Sequence, residues 1–451
     1  MSFDLVQASR KLISFDCSPQ HSNVEAVQYL EQLAKELGFE CEVQNEVQDG
    51  IAQANIFVRT QKFAPGDQEF LLQSHLDTSD PGPFSNWKKN AFNPYDAVIE
   101  EGRIYGIGSA EVKLDFLCKL RALYQLKNSA YKNLKPVLVG TFGEETGMQG
   151  ALKLIRKNKI NPKFALIGEP TDLKIMNAAK GFATVEIKIP ISVEEQKYKS
   201  EKSISESHTT LSKIFSGKSA HSSTPHLGES AALKLFDFIK KMSDSTALVE
   251  VDAGTRMNTI PNQAMIEFDE SAGLTKSVVS QIKKIISYME ELQIEMKSVV
   301  DKQFEPHHST LSVGIIRTRP DHILIGGSCR ILPVVNQDTY EKWMYQIHSF
   351  CSSLGVEFKL LDYKRPFRTP ENSILIRAAQ AELGKLNLES MCSSMASTNE
   401  ASLFSRLSIE CICFGAGQRE GNIHTPNESV KIDDLEKATI FYKKMIERFC
   451  L

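Results

Sequence analysis

Short apolar runs alternate with amphipathic helical segments through the first part of the chain, and this alternation is the feature that most constrains the fold. Runs typical of buried strands lie at 54–58, 69–73, 137–142 and 164–168. Apolar residues at helical spacing mark the segments 24–37, 113–127 and 148–157. Strands that alternate with helices are typical of an α/β layered sheet. The sequence therefore predicts an α/β fold for this part of the chain.

The middle of the chain has a different pattern, because its helical and strand-like segments do not alternate strictly. A long helix is predicted at 276–296. Strands are predicted at 311–316, 322–325 and 327–332. Residues 191–216 are rich in Ser, Lys and Glu, and we expect an insertion loop or a partly ordered arm there. Together these segments predict an α+β region.

The α/β pattern returns after residue 365 and ends in a predicted terminal helix at 432–450. We therefore predict one catalytic domain built from two pieces of sequence, 1–179 and 365–451. An inserted α+β domain at 180–364 would separate the two pieces.

Charge and composition exclude several classes of protein. The formal net charge is -3 over 451 residues, which gives no support for nucleic-acid binding. No run approaches the roughly 18 apolar residues that a membrane span requires, and the amphipathic N-terminal segment lacks the apolar core of a signal peptide. Nine scattered cysteines predict reduced thiols and not a disulfide framework. We expect a cytoplasmic protein that binds neither nucleic acid nor membrane.

Side chains that can bind a metal follow the predicted strands. They are His75 and Asp77, the adjacent pair Glu144 and Glu145, Glu169, and His424. A single His or Glu is more often a surface or packing residue, but groups at the carboxyl ends of parallel strands converge on one edge of a sheet. Two His and several carboxylates suit a divalent transition metal, with Zn²⁺ favoured and Mn²⁺ or Co²⁺ as alternatives. Cations would also neutralise so dense an acidic cluster.

Six motifs occur in a fixed order along the chain: SHLDT (74–78), GRIYGIGSAEVK (102–113), GEETG (143–147), IGEPTDL (167–173), GKSAHSSTPHLGESA (217–231) and NIHTPNESV (422–430). With these motifs the chain resembles the metal-dependent amidohydrolases that include acetylornithine deacetylase, succinyl-diaminopimelate desuccinylase, aminoacylase and carboxypeptidase G. The resemblance implies a zinc-peptidase-like α/β catalytic domain with two metals and an inserted α+β lid domain. Because such lids often serve for dimerisation, the resemblance leaves a homodimer through the lid domain open.

The resemblance also implies roles for the residues that follow the strands. His75 and Glu169 would bind one metal, and Glu145 and His424 would bind the second. Asp77 would accept a hydrogen bond from the other ring nitrogen of His75 and so orient the ring.

Glu144 and three residues of the lid domain would act on the substrate. As the first glutamate of GEETG, Glu144 would be the general base that takes a proton from water and returns it to the leaving amine. His221, in GKSAHSSTP, would donate to the developing oxyanion. Arg330 would pair with a substrate carboxylate, and Asn258 would contact the substrate or the oxyanion. The segment 269–329 enlarges the lid and separates Arg330 from Asn258 in the sequence.

One position departs from the pattern of the family. The bridging aspartate of the family falls on Glu111, within GIGSAEVK. A glutamate can bridge two metals, but its extra methylene moves the carboxylate by roughly one bond length, whereas metal ligands tolerate only about 0.2 Å of distance error. The sequence is therefore compatible with either one or two Zn²⁺ ions per chain. For Lys113 we expect a solvated lysine at a helix start, and the alternative is that it anchors the loop. We also expect a loop near the substrate at 395–402, MASTNEAS.

We predict a metal-dependent hydrolase that cleaves the amide bond of an N-acyl amino acid and releases a carboxylate and a free amine. An activity like that of acetylornithine deacetylase is the first choice. A dipeptidase or carboxypeptidase with the same chemistry is one alternative, and an inactive, metal-poor homologue with a binding role is another. If the glutamate at position 111 is a handicap, Glu111→Asp should hold or raise the activity.

Overall fold

The computed structural model describes residues 3–60, 64, 66–157, 159–204 and 210–451. Their α-helices are α1 (Leu5–Ile13), α2 (Val24–Glu36), α3 (Lys113–Gln125), α4 (Gln149–Arg156), α5 (Val193–Ile204), α6 (Ala231–Ile239), α7 (Val278–Ser298), α8 (Gln337–Ser353), α9 (Ile374–Lys385), α10 (Ala401–Phe404) and α11 (Ile432–Cys450). Their strands are β1 (Glu40–Gln48), β2 (Ile51–Arg59), β3 (Glu69–His75), β4 (Val98–Glu100), β5 (Arg103–Tyr105), β6 (Lys135–Thr141), β7 (Pro162–Gly168), β8 (Ile175–Ala179), β9 (Gly181–Pro190), β10 (Leu211–Ser216), β11 (Ala220–His221), β12 (Ala247–Ala253), β13 (Thr259–Ile260), β14 (Gln263–Asp269), β15 (Thr310–Thr318), β16 (His322–Ile331), β17 (Glu357–Lys364), β18 (Phe367–Arg368), β19 (Cys392–Met395), β20 (Glu410–Phe414) and β21 (Ser429–Lys431).

These elements form two units, each with a large sheet of its own. The first unit contains Met1–Ala178, Phe367–Ser394 and Asn399–Leu451, and the second contains Ala179–Pro366 and Met395–Thr398. From β5 to β7, strands alternate with the helices α3 and α4, as the sequence predicts, and the α/β fold class is confirmed.

Four parallel strands form the centre of the sheet in the first unit. The order of this sheet is β1-β2-β6-β3-β7-β20-β8-β18, with β19 beside β8. The neighbours β6, β3, β7 and β20 run parallel, so that Ser74 lies opposite Gly140, and Ile167 lies opposite both Gln73 and Cys413. The carboxyl ends of these four strands therefore lie along one edge of the sheet.

Helices cover this sheet, and every residue of β3 is buried. Helix α3 packs against α1, α11, β3 and β6, and its residues Leu114 and Leu117 belong to the apolar core. A strand that is covered on both faces reads as a continuous apolar run. Strand β6 has such a continuous apolar run at 136–139 (PVLV).

The second unit is built on a seven-stranded sheet with the order β10-β14-β12-β15-β16-β9-β17. Its strand pairs are antiparallel. Helix α6 packs on β14 and β10, α7 on β12, β15 and β9, and α8 on β17. This combination of an antiparallel sheet with helices is an α+β arrangement.

The prediction of a loop or arm at 191–216 was wrong. Helix α5 and strand β10 occupy most of this segment, and residues 205–209 lie outside the described part of the chain. Helix α5 is anchored through Glu195, whose buried carboxylate accepts the backbone N–H groups of Leu248 and Val278, each at 2.8 Å. The polar composition of the segment conceals this anchor, because a single buried glutamate leaves no apolar pattern.

The prediction of two separate strands at 322–325 and 327–332 was also wrong, because β16 runs through both. Two glycines interrupt the apolar pattern in the sequence, but Gly327 permits the neighbouring strand to approach closely. A Cβ atom at Gly327 would lie 2.4 Å from the carbonyl oxygen of Ser312 on β15.

Within the described ranges, no helix has both the length and the apolar character needed to cross a membrane.

Candidate active site and metal centre

The candidate site lies at the carboxyl edge of the parallel strands in the first unit. Strand β3 ends at His75, and Glu169 follows β7 directly. Strand β6 leads into the GEETG loop, and β20 leads into the loop that carries His424. Because these four strands are neighbours and run parallel, the residues that follow them share one edge of the sheet.

Two polar side chains hold the backbone around the GEETG loop. The carboxylate of Asp77 accepts the N–H of Glu144 at 3.1 Å and the N–H of Glu145 at 3.0 Å. Just before the loop, the buried side chain of Asn55 accepts the N–H of Phe142 at 3.2 Å. The two adjacent glutamates are therefore carried by a backbone that hydrogen bonds fix at several points.

The ring of His75 is buried and oriented by Asp77. Its Nδ1 lies 3.1 Å from the backbone carbonyl oxygen of Asp77 and 3.5 Å from Oδ1 of the same residue. The backbone carbonyl of Asp77 is thus the closer acceptor. Burial opposes protonation, but the interaction with Asp77 raises the pKa of His75 well above its usual range. Nε2 is the nitrogen that can bind a metal.

Glu111, Glu145 and His424 form a group of potential metal ligands. Each residue offers one ligand atom, and these atoms lie within 4.8 Å of one another. Nε2 of His424 lies 2.9 Å from Oε1 of Glu145 and also contacts Oε2 of Glu111. His75 and Glu169 do not belong to this group. The structure thus brings together the position of the bridging ligand and the two residues expected at the second metal.

The buried carboxylate of Glu428 holds the loop that carries Glu111. It accepts three backbone N–H groups, from Gly108 at 3.1 Å, Ala110 at 2.8 Å and Glu111 at 3.0 Å. Burial raises the pKa of this carboxyl to about 7. Through these bonds Glu428 sets the position of Glu111 without being a ligand itself.

We expect Glu428→Gln to weaken metal binding about tenfold, as is usual when the partner of a ligand is lost. In the wild type these N–H groups donate to carboxylate oxygens. In the variant an amide NH₂ faces at least one of them, and two donors cannot form a hydrogen bond with each other. Competition with a chromophoric chelator measures the Zn²⁺ dissociation constant. Glu420→Gln is the matched control, because Glu420 is an exposed glutamate in the loop before His424. An unchanged affinity in Glu428→Gln would contradict the role of this carboxylate.

Burial raises the pKa of three carboxyl groups at the site. It raises the pKa of Glu144 well above its usual range, and repulsion from Glu169 adds to the effect. It also raises the pKa of Glu169 to about 8 and that of Glu400 to about 7. Against the effect of burial, contact with Glu111 raises the pKa of His424 to about 11. The carboxylates of the site therefore gain from any positive charge placed among them.

These residues fit a divalent cation. Carboxylate oxygens and imidazole nitrogens are the donors that Zn²⁺ and other first-row dications prefer. Oε2 of Glu111 is buried, and among the described residues it has no hydrogen-bond partner beyond its ionic contact with His424. A cation would satisfy this oxygen and reduce the repulsion within the cluster.

His221, Asn258 and Arg330 lie in the second unit and are neighbours there. Nη2 of Arg330 lies 3.5 Å from Nε2 of His221. Its guanidinium group packs over the ring of Phe182, with 4.2 Å to the ring centroid. The backbone carbonyl of Asn258 accepts the N–H of Ser222 at 2.8 Å. The long segment between Asn258 and Arg330 in the sequence therefore does not keep the three residues apart in the fold.

The prediction of a solvated Lys113 was wrong. Its side chain is buried, and Nζ donates to the backbone carbonyl of Phe15 at 2.9 Å. Helix α1 packs against α3, so the residues that follow α1 cover the first turn of α3. Charge at a helix start is usually exposed, and nothing in the local sequence reveals this covering segment.

Two buried carboxylates near the site were missed by the sequence analysis, Glu400 and Glu428. Oε2 of Glu400 accepts hydrogen bonds from Oγ1 of Thr141 at 3.1 Å and from the side-chain amide of Gln73. Both glutamates lie in segments that the sequence analysis selected, MASTNEAS and NIHTPNESV. Their partners are backbone groups and residues far away in the sequence, so spacing alone does not reveal their roles.

Comparisons with known proteins place the chain in one family. The sequence pattern of Peptidase family M20/M25/M40 matches residues 71–448. A succinyl-diaminopimelate desuccinylase of Wolbachia pipientis is 21% identical over 461 aligned positions, which cover 100% of this chain and 94% of the relative. An acetylornithine deacetylase of Aliivibrio fischeri is 32% identical over 184 positions, 40% of this chain and 45% of that relative. The crystal structure of aminoacylhistidine dipeptidase from Vibrio alginolyticus has a TM-score of 0.67 at 15% identity, over 99% of this chain and 96% of that one.

Fold and site together define a metal-dependent hydrolase of amide bonds. The chain belongs to Peptidase family M20/M25/M40, whose pattern spans most of its length. The resemblance inferred from the six motifs is thereby confirmed. At 15% identity the dipeptidase structure supports the fold and not a substrate.

Proposed function

We propose that the protein is a zinc-dependent hydrolase that removes the acyl group of an N-acyl amino acid, with N-acetylornithine as the first candidate substrate. This proposal rests on one observation, the convergence of Glu111, Glu145 and His424. Glu145 lies in a loop whose backbone N–H groups donate to Asp77. The names of the two curated relatives, a desuccinylase and a deacetylase, support this substrate class.

In this proposal five residues would hold the metal. His75 and Glu169 would bind one ion, Glu145 and His424 would bind a second, and Glu111 would lie between them. A dication bound there supplies Lewis-acid chemistry, because it polarises the amide carbonyl and lowers the pKa of water.

Glu144 is the proposed general base. Its carboxyl group interacts electrostatically with His75, Glu169 and Glu145, so it lies near the candidate metal ligands. It would take the proton of the attacking water and deliver it to the leaving nitrogen. The products would be a carboxylate and a free amine.

Residues of the second unit would bind the substrate. We propose His221 as a donor to the developing oxyanion, Arg330 as the partner of a substrate carboxylate, and Asn258 as a further contact. Stacking on Phe182 fixes the plane of the Arg330 guanidinium group, which favours a bidentate pair.

We also propose a homodimer through the second unit and a cytoplasmic location. The unpaired state of all nine cysteines supports a reducing environment.

A substrate panel tests the proposed function. The purified protein, supplied with Zn²⁺, Mn²⁺ or Co²⁺, is assayed with N-acetylornithine, N-succinyl-diaminopimelate and a set of dipeptides. We expect hydrolysis of an acyl amino acid that a chelator abolishes and added metal restores. Faster cleavage of dipeptides would favour the dipeptidase alternative. If the protein bound no metal and cleaved nothing in the panel, the inactive homologue would remain.

We expect Glu111→Asp to lower metal affinity and activity about tenfold, which would mean that the glutamate is not a handicap. The N–H of Glu111 is bound by Glu428, and its carboxylate needs the full side-chain length to contact His424. An aspartate on the same backbone would fall short by ~1.5 Å, one carbon–carbon bond, whereas ligands tolerate about 0.2 Å. Zn²⁺ content after dialysis and kcat/KM measure the effect. Unchanged or higher activity would show that the glutamate is a handicap.

A further inference from the structure

A buried ion pair on α3 faces the carboxyl ends of the parallel strands. Asp115 and Lys119 are one helical turn apart, and Nζ of Lys119 lies 2.6 Å from Oδ2 of Asp115. The side chains are 4% and 0% exposed, respectively. Removing two charges from water carries a large desolvation penalty, and an apolar pair of similar volume often stabilises a protein at least as well. Stability alone therefore does not explain this pair.

The pair is bonded to the end of β3. Nζ of Lys119 donates to the backbone carbonyl of Gln73 at 2.5 Å and lies 3.1 Å from Oγ of Ser74. The hydroxyl of Ser74 in turn donates to Oδ2 of Asp115 at 2.8 Å. His75 follows Ser74 directly, so these contacts fix the backbone one residue before a proposed ligand.

The pair also packs against the end of β7. A Cβ atom at Gly168 would lie 2.4 Å from Oδ2 of Asp115 and 3.1 Å from Nζ of Lys119. The charged groups thus fill the space that a side chain at this position needs, and glycine permits the close approach. Glu169, the second proposed ligand of the same ion, follows Gly168 directly.

Tyr442 on α11 extends these contacts to β20. Its hydroxyl lies 2.5 Å from Oδ1 of Asp115 and 2.8 Å from the backbone carbonyl of Phe414, the last residue of the strand. Nζ of Lys119 lies 4.9 Å from the centre of the Tyr442 ring. The buried charge pair therefore contacts the ends of β3 and β7 directly and reaches the end of β20 through Tyr442.

We infer that Asp115 and Lys119 are positioning residues that set the ends of β3 and β7, and thereby hold His75 and Glu169 at the spacing that a metal requires. The inference rests on the proposed function, because it takes His75 and Glu169 as ligands. Neither member of the pair touches the reacting atoms. Each contacts the residue that precedes a ligand, so a shift of the pair displaces both ligands, whose distances to a metal tolerate only about 0.2 Å of error.

The test is a double variant, Asp115→Asn with Lys119→Met, which removes both charges and nearly preserves the volume. Visible spectroscopy during a Co²⁺ titration reports affinity and ligand geometry without any substrate. We expect the metal-free variant to unfold close to the wild-type temperature, and at least one Co²⁺ binding step to weaken about 10- to 100-fold. The absorption bands should change, and kcat should fall with little change in KM. Wild-type affinity and spectrum in the folded variant would overturn the inference.

Ser74→Ala is the second variant, and it tests the positioning role of the pair if the double variant does not fold. It removes only the hydroxyl that contacts both charged groups, and we expect about a tenfold loss of Co²⁺ affinity. Wild-type Co²⁺ binding in Ser74→Ala would count against the inference.

Lys180→Met is the matched control for the loss of a buried lysine. Lys180 is equally buried but lies in the second unit, where Nζ donates to the carbonyls of Pro306 at 2.7 Å and His308 at 2.9 Å. Its Co²⁺ spectrum and affinity should equal those of the wild type. An equal loss of metal in Lys180→Met would show a general effect of buried charge and contradict a specific role for Lys119.

The metal readout separates this inference from the proposed function. If the wild type binds Co²⁺ but cleaves no acyl amino acid, the proposed function fails, and the variants still test the positioning role. If the wild type binds no divalent cation, the inference fails together with the metal site.

Discussion

Glu144→Ala is expected to reduce kcat by about 10²- to 10⁴-fold, the range that general acid–base catalysis contributes, while the protein keeps its metal. Glu144 lies outside the ligand group formed by Glu111, Glu145 and His424. Asp77 binds the backbone N–H of Glu144, so the loop retains this bond when the side chain is shortened. Steady-state kinetics with the best substrate of the panel and elemental analysis of the same sample measure the two quantities.

The neighbouring Glu145→Ala is the matched control for this prediction. It makes the same chemical change one residue away in the same loop, but Oε1 of Glu145 lies 2.9 Å from Nε2 of His424 in the ligand group. We expect Glu145→Ala to lose metal and activity together. Coincident loss of metal in Glu144→Ala would contradict the assignment of Glu144 as the base and make it a ligand.

Elements with a strong apolar period could be predicted from the sequence almost to their ends. The predicted helix at 432–450 is α11, and the predicted helix at 24–37 is α2, which ends at Glu36. Both helices bury one face against the core, and this burial produces the spacing that the sequence shows.

Strand β1 shows why other elements escape such reasoning. Six of its nine residues, ECEVQNEVQ, are charged or amide residues, and none of the nine is fully buried. It lies at the edge of the sheet, where it pairs with β2. Cys41, Val43 and Val47 alternate with polar residues, but Asn45 interrupts this pattern, and the place of an edge strand in the sheet is set by its partner.

The residues of the candidate site differ in the same way in how far the sequence indicates them. His75, Glu145 and His424 could be proposed as ligands from the sequence, because they follow strands or lie in characteristic motifs. Asp115 and Lys119 could not, since an Asp–Lys pair four residues apart on a helix is typical of a solvated surface. In the fold, the packing of α3 against β3 and α11 encloses this pair. Groups that act through another residue's backbone thus leave little trace in a single sequence.

Asp77→Ala is expected to lower kcat/KM about 100-fold, the upper end for residues that orient ligands. Asp77 binds Nδ1 of His75 through its carbonyl oxygen and both N–H groups of the glutamate pair through its carboxylate. Alanine retains the carbonyl but leaves two partly buried N–H groups without their acceptor, at a cost of about 1–3 kcal/mol each. Both the proposed base and a proposed metal ligand then lose their fixed position. Kinetics, Zn²⁺ affinity and thermal unfolding together measure the change.

Asp77→Asn should fall between the wild type and alanine, because an amide keeps one oxygen acceptor but turns an NH₂ towards the second N–H. Asp80→Ala is the matched control. The exposed carboxylate of Asp80 binds the N–H of Gly82 at 2.7 Å in the loop that follows, away from the glutamate pair. We expect near wild-type kcat/KM and metal affinity from this control. If Asp77→Ala lowered the unfolding temperature but left kcat/KM unchanged, the carboxylate would serve stability alone, and the link between His75 and the glutamate pair would have no part in catalysis.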